Sequence, residues 1–67
     1  MAVIKTIDLV GVSPEGWRQA AQEALAEAAK TVRSIESMDV VETSCTVVDN
    51  EISEYQAHVR IKFRIER

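Results

Sequence analysis

The side chains with nucleophilic or acid–base chemistry are few and scattered. Cys45, Ser13 and Ser44 offer nucleophilic atoms, and His58 is the single histidine available as a general base. None of them lies in a nucleophile elbow, a triad spacing or another arrangement that indicates an activated side chain. We therefore predict that the protein is not an enzyme. Cys45 falls in a strand-like segment, where we expect a small buried apolar side chain.

Charge is distributed unevenly along the sequence. Six acidic residues and no lysine or arginine lie between positions 34 and 59. The last eight residues contain one acid and four basic side chains, namely Arg60, Lys62, Arg64 and Arg67. These bases either pair with acids on neighbouring strands or subunits, or form an anion site, for example for a phosphate. A pI near 5.0 and the lack of stacking aromatics on this polar row disfavour a nucleic-acid partner.

Metal ligation has little support in the sequence. Asp49, Asn50 and Glu51 resemble the start of a calcium loop, but the glycine and the further ligands of an EF-hand are missing. The same residues fit a tight hairpin turn, which is the preferred interpretation. A zinc site would need carboxylates at a spacing that the sequence does not show. No metal ligand is therefore assigned.

A long alternating segment carries most of the polar groups. From Tyr55 to Glu66 apolar and polar residues alternate without interruption, which predicts a β-strand with one apolar and one polar face. At about 3.3 Å per residue the segment spans roughly 40 Å. The rest of one small domain cannot easily cover an apolar face of that length. Gln56 begins the polar face, and its amide can donate and accept hydrogen bonds, which suits the edge of a heterocycle.

The first half of the chain predicts a strand followed by a helix. Val3–Val10 is rich in branched residues and ends at Gly11, which is typical of a strand that leads into a turn. Ser13 can cap a helix that begins at the next residue, a proline, and the apolar spacing continues this helix over Pro14–Ser34. Its apolar stripe is mostly alanine. Trp17 is in phase with that stripe, and we expect it to fill space in the packing.

The fold class predicted from these elements is α+β. Met38–Val48 is rich in valine and threonine and predicts a second strand, less regular in its alternation than the last one. Asp49 and Asn50 form the reversal into the final strand. The order is β-α-β-β, a three-stranded antiparallel sheet that wraps one helix on its apolar face.

Size and composition predict an oligomer. The chain forms one domain, residues 1–67, and a domain of this size buries only about 60% of the surface of its unfolded chain. A single cysteine excludes an intramolecular disulfide, which leaves oligomerisation as the remaining support. No apolar run is long enough to cross a bilayer, and the first residues do not form a secretory signal. We therefore expect a cytoplasmic protein with no membrane contact.

The order of these segments resembles the dodecin family over nearly the whole chain. The matching segments are Val10-Gly11-Val12-Ser13, Ala29-Lys30-Thr31-Val32-Arg33, Tyr55-Gln56 and Val59-Arg60-Ile61-Lys62-Phe63-Arg64. The resemblance implies a hollow homododecamer that stores flavins, such as riboflavin or FMN, and is not an enzyme. In this family flavins stack in pairs between tryptophans of neighbouring subunits, and the glutamine that Gln56 matches binds the ring.

The chain departs from the family pattern at the stacking position. Ser37 stands where the stacking tryptophan is expected, and Ser44 replaces a basic residue that helps some members to bind a phosphate-bearing cofactor. Arg64 does match a basic position of the last strand. The resemblance thus implies Ser37, Gln56 and Arg64 as ligand-binding positions, with much of the stacking energy lost. Trp17 is not a replacement, because the implied flavin site lies on the other face of the sheet.

Two hypotheses follow. The first is a dodecameric small-ligand store with impaired flavin binding. The second is a structural or calcium-binding dodecameric shell without an organic ligand, as in family members that lack the stacking tryptophan; this chain resembles that subset.

Overall fold

The structure of the protein is a computed structural model that describes residues 2–65. The elements are β1 (Val3–Ser13), α1 (Trp17–Ala29), β2 (Ile35–Val48) and β3 (Glu51–Ile65). The three strands form one antiparallel sheet in the order β1-β3-β2. The central strand is β3, which contains the alternating segment. This confirms the predicted fold class. Glu66, which ends the alternating segment, and Arg67, the last of the four bases, lie outside the described residues.

The alternation in β3 separates an inner face of the sheet, which packs on α1, from an outer face. Ala57, Val59 and Ile61 point inward and are fully buried. The polar residues between and beside them belong to the outer face, namely Gln56, His58, Arg60, Lys62 and Arg64. The period of two therefore determines which side chains remain available to a ligand or a second subunit.

Small residues allow α1 to lie close to the sheet. Ala20, Ala24 and Ala28 are buried in the core. A Cβ atom placed on Gly11 in β1 would lie 1.8 Å from the backbone oxygen of Ala20. The predicted turn at Gly11 is wrong: β1 continues to Ser13, and the glycine permits the close approach of two backbones.

The helix is shorter than the sequence predicts. Instead of Pro14–Ser34 it comprises Trp17–Ala29, and its 13 residues span only about 20 Å at about 1.5 Å each. Ser13 does not cap it. Ser13 is the last residue of β1, and its Oγ accepts a hydrogen bond of 3.1 Å from the backbone N–H of Glu15 in the connecting loop.

The C-terminal end of α1 also comes earlier than predicted. The backbone N–H groups of Thr31 and Val32 both donate to the carbonyl of Ala28, which closes the last turn. These two residues are β-branched and favour helix less than the alanines before them. Ser34 then adopts a left-handed conformation, with φ of 61°, that directs the chain into β2.

The β2–β3 hairpin turns where the sequence predicts. Asp49 and Asn50 both have positive φ, 51° and 64°, which is the geometry of a two-residue hairpin turn. The strands are longer than predicted, beginning at Ile35 and Glu51. Three shifts in the pairing of β2 with β3 account for the imperfect alternation of β2.

The protomer is elongated. Its extents are 52 × 19 × 12 Å, and its radius of gyration is 13.8 Å, whereas about 11 Å is typical of a compact chain of this length. The hairpin defines the long axis, since the 15 residues of β3 span about 50 Å at about 3.3 Å each. A helix of about 20 Å covers less than half of that length. Much of the hairpin is therefore left without a covering layer.

Candidate functional site

Ser37, Gln56 and Arg64 all belong to the outer face, but they do not form one cluster. Ser37 pairs with Lys62, and Gln56 lies six positions earlier along β3. Six positions of strand correspond to about 20 Å. Arg64 lies at the Ser37 end, where its Nε donates to the carboxylate of Glu36 at 2.6 Å. One chain thus places Ser37 and Arg64 at one end of the face and Gln56 at the other.

Gln56 is held in place by the neighbouring strand. It is half-buried, lies opposite Ser44, and donates from Nε2 to Oγ1 of Thr46 at 3.3 Å. This contact fixes the orientation of the amide, which is what a hydrogen-bonding site for a heterocycle requires. Thr46 could not be located from the sequence, because regular pairing counted back from the Asp49–Asn50 turn places Thr43 opposite Gln56. The register shift between Thr46 and Val47 places Ser44 there instead and brings Thr46 within reach of the amide.

The basic row of β3 is paired with acids on both neighbouring strands. Lys62 Nζ lies 3.0 Å from Asp39 Oδ2 of β2. Arg60 donates two hydrogen bonds to Asp8 of β1, at 3.0 and 3.1 Å. Together with the Arg64–Glu36 pair, these contacts confirm for Arg60, Lys62 and Arg64 the interpretation that the bases pair with neighbouring strands. Three acids and three bases of the outer face therefore form a charge lattice, namely Asp8, Glu36, Asp39, Arg60, Lys62 and Arg64.

Asp8 is the centre of this lattice and was not singled out by sequence. It accepts a hydrogen bond from His58 Nε2 at 2.9 Å in addition to the two from Arg60. These donors, Arg60 first, lower the pKa of Asp8 below its ordinary value. Asp8 in return raises the pKa of Arg60. The sequence alone does not show that Asp8 lies opposite Arg60, because this depends on the register between β1 and β3.

We predict that replacing Asp8 with asparagine removes a pH-dependent part of the stability. A carboxyl whose pKa is lower in the folded state stabilises the fold above its unfolded pKa of about 3.9, and that contribution disappears as the pH falls through the folded value. Asp8→Asn should therefore be less stable than wild type at pH 7, and the difference should close in strong acid. Urea unfolding at both pH values measures this.

The control for that comparison is Glu23→Gln, which removes an exposed carboxylate of α1. Its difference from wild type should stay small at pH 7. A gap between Asp8→Asn and wild type that is the same in strong acid as at neutral pH would contradict the role given to Asp8.

Trp17 lies on the opposite side of the sheet from Gln56. It is 43% exposed, so the expected space-filling role is wrong for the single chain. Its indole N–H donates to the carbonyl of Ser44 at 2.9 Å, and its ring meets Tyr55 edge-on with centroids 4.9 Å apart. Cys45 is likewise exposed and not buried as expected. Trp17 at the start of α1 and Cys45 in β2 thus both lie beside Tyr55 of β3.

Residues 2–65 do not contain a group of three or more histidine, cysteine or acidic side chains that could hold a metal ion. Within the same residues, no helix is long and apolar enough to span a membrane.

Comparison with known proteins identifies the family of this chain. The sequence profile of the dodecins matches residues 3–66. The chain belongs to the dodecin family. A dodecin from Thermus thermophilus is 41% identical over 64 residues, which cover 96% of this chain and 93% of that protein. A calcium dodecin from Mycobacterium tuberculosis is 34% identical over 65 residues, which cover 97% and 92%.

Solved dodecin structures agree with this protomer. A variant of the Thermus thermophilus dodecin with a tryptophan replaced by phenylalanine is 39% identical, with a TM-score of 0.94 and complete coverage of both chains. The Mycobacterium tuberculosis calcium dodecin, described as calcium-chelating with a novel calcium-binding site, is 34% identical with a TM-score of 0.83. That match covers 96% of this chain and 91% of that chain. The dodecin resemblance predicted from the sequence is thus confirmed in family and fold.

Proposed function

We propose that this dodecin assembles into a hollow homododecamer that binds and stores a small ligand and does not catalyse a reaction. The shape of the protomer supports assembly. Its accessible surface is 5001 Å², whereas about 4,200 Å² is typical of a folded monomer of this mass. The excess includes ten exposed large apolar side chains, among them Val10, Val40 and Val47. Contact between copies buries such surface.

The observation that carries the ligand proposal is the position of the site residues at opposite ends of one face. Ser37 lies about 20 Å and Arg64 about 26 Å from Gln56 along β3, too far for one small molecule to contact all three in a single chain. A site that uses both ends must be formed by two or more copies. This agrees with the flavin position that the family resemblance implies, between neighbouring subunits.

We further propose a ligand of the flavin class, riboflavin or FMN, bound with reduced affinity. In this proposal the amide of Gln56, held by Thr46, hydrogen-bonds the edge of the ring, and Arg64, held by Glu36, adds a positive group near Ser37. Ser37 offers no aromatic surface, so the stacking contribution of about 1–3 kcal/mol per aromatic wall is missing. The proposed shell acts in the cytoplasm, where the lone Cys45 stays reduced.

Riboflavin fluorescence titration tests the flavin proposal. We expect the wild-type protein, at micromolar concentration or above, to quench the fluorescence of riboflavin. Gln56→Leu should weaken binding about two- to tenfold, because one hydrogen bond to the ring is lost. Gln19→Leu, which changes an exposed glutamine of α1, is the matched control and should bind as wild type does. A wild-type protein that does not quench riboflavin contradicts the flavin proposal. Equal binding by Gln56→Leu contradicts the placement of the site.

The second candidate is a shell that binds calcium, and the similarity to the Mycobacterium tuberculosis calcium dodecin favours it. Carboxylate oxygens are suitable ligands, and Glu42 on the outer face faces His58 across the strand pair. Because residues 2–65 of one chain lack a metal-binding group of acids, the ion would bind between copies. Calorimetry should show heat with calcium that Glu42→Gln reduces. No heat with calcium or magnesium contradicts this candidate.

A further inference from the structure

An open groove runs between α1 and β2 on the inner face of the sheet. The groove encloses about 400 Å³. Its walls include Trp17 and Arg18 from the start of α1 and Met38, Val40 and Thr43 from β2. Val40 is 53% exposed, because α1 packs over β1 and β3 and leaves β2 largely uncovered. The α1–β2 groove is thus an apolar surface with one basic side chain, Arg18, among its lining residues.

The tip of the β2–β3 hairpin has the complementary character. Val47, Val48 and Ile52 are 60%, 53% and 53% exposed, and they flank the two-residue turn. Asp49 and Glu51 add two acids and no base to this segment. The hairpin tip, residues 47–52, is therefore an apolar and acidic projection at one end of a 52 Å protomer.

We propose that the α1–β2 groove of one copy receives the hairpin tip of a neighbouring copy. The proposal rests on the proposed assembly and specifies one of its contacts. The apolar side chains of the tip fill the groove, and the acids of the tip face Arg18. A protomer cannot make this contact with itself, since Val40 and Val48 are eight strand positions, about 26 Å, apart on the same strand.

Such a contact joins two different surfaces of the same chain. It is therefore a head-to-tail contact in which each copy both gives and receives a hairpin tip. Repeated by rotation, contacts of this kind close into rings, which are components of a closed shell. The contact also covers the exposed side of Trp17, whose indole N–H and ring edge are already engaged by Ser44 and Tyr55.

Thiol cross-linking tests the contact. In a Cys45→Ser background, Val40→Cys and Val48→Cys are combined in one chain, and the assembled protein is treated with a short bismaleimide. We expect covalent dimers and larger species on a denaturing gel. The control combines Val48→Cys with Val12→Cys, a valine of the outer face that is 43% exposed, and should give only background cross-linking. An assembled protein without cross-links, or with equal cross-linking in the control, overturns the inference.

A charge swap tests the electrostatic part with a different measurement. Arg18→Glu should raise the protomer concentration at which half of the assembly dissociates by about fivefold or more. Adding Glu51→Lys should return this concentration to the wild-type value. Arg33→Glu, which changes an exposed arginine beyond α1, is the control. No rescue by Glu51→Lys overturns the pairing. Light scattering on the Cys45→Ser parent separates the two claims, because a monomeric parent overturns the proposed shell itself.

Discussion

Replacing Ser37 with tryptophan should create or strengthen riboflavin binding by about five- to 150-fold for each aromatic wall that stacks on the ring. Ser37 is exposed on the outer face, in a strand that tolerates a large aromatic side chain. Its pairing partner is Lys62, so the new indole would lie beside the charge lattice without replacing any of its members. The affinity is measured by quenching of riboflavin fluorescence.

The control for this substitution is Thr6→Trp. Thr6 pairs with the same Lys62 from the other side, on the same face of the sheet, and is also exposed. A gain in Ser37→Trp that Thr6→Trp does not share locates the site at the β2 side of the face. Unchanged affinity in Ser37→Trp would show that the flavin site is wrongly placed.

Replacing Gly11 with alanine should destabilise the protein by about 3 kcal/mol or more. The added Cβ atom would lie 1.8 Å from the oxygen and 2.8 Å from the carbon of the Ala20 carbonyl group. Both are backbone atoms, which cannot rotate away as a flexible side chain can. The helix must move off the sheet, and the alanine core loses its close contacts with Val59 and Ile61. Urea unfolding at a fixed protomer concentration measures the loss.

Gly16→Ala is the matched control, because it makes the same chemical change beside the same helix. Its Cβ atom would meet only the side chain of Gln19, at 2.8 Å, and that side chain can rotate. We expect a change in the free energy of unfolding below about 1 kcal/mol. Similar losses in the two variants would contradict the view that Gly11 serves a backbone contact.

The parts of the fold that follow from local pattern were predictable from the sequence. The unbroken alternation before Glu66 correctly gave a strand and its two faces, and Asp49-Asn50 correctly gave the hairpin turn. Both signals depend on a few neighbouring residues and their own backbone preferences. The order of the elements followed from them, and so did the fold class.

The errors arise where distant segments meet. Gly11 has the local signature of a turn, yet its role depends on Ala20 of the helix, which no local pattern reveals. The C-terminal end of the helix was misplaced because apolar spacing continues beyond Ala29 into residues that belong to the loop and β2. Asp8 became recognisable as a site of charge pairing only through the register of β1 with β3.

The candidate site was partly predictable for the same reason. Sequence placed Gln56 and Arg64 on the polar face of the last strand, as observed. It could not give the separation between Gln56 and Ser37, since that separation depends on the irregular pairing of β2. The roles of Ser37, Gln56 and Arg64 in binding remain predictions. A ligand that contacts all three must lie between copies, since one chain holds them at opposite ends of the outer face.

Light scattering coupled to size-exclusion chromatography tests the closed assembly of this dodecin most directly. We expect a single species of about twelve times the 7.5 kDa chain mass at micromolar protein. A mass of 7.5 kDa that persists as the protein concentration rises would contradict it.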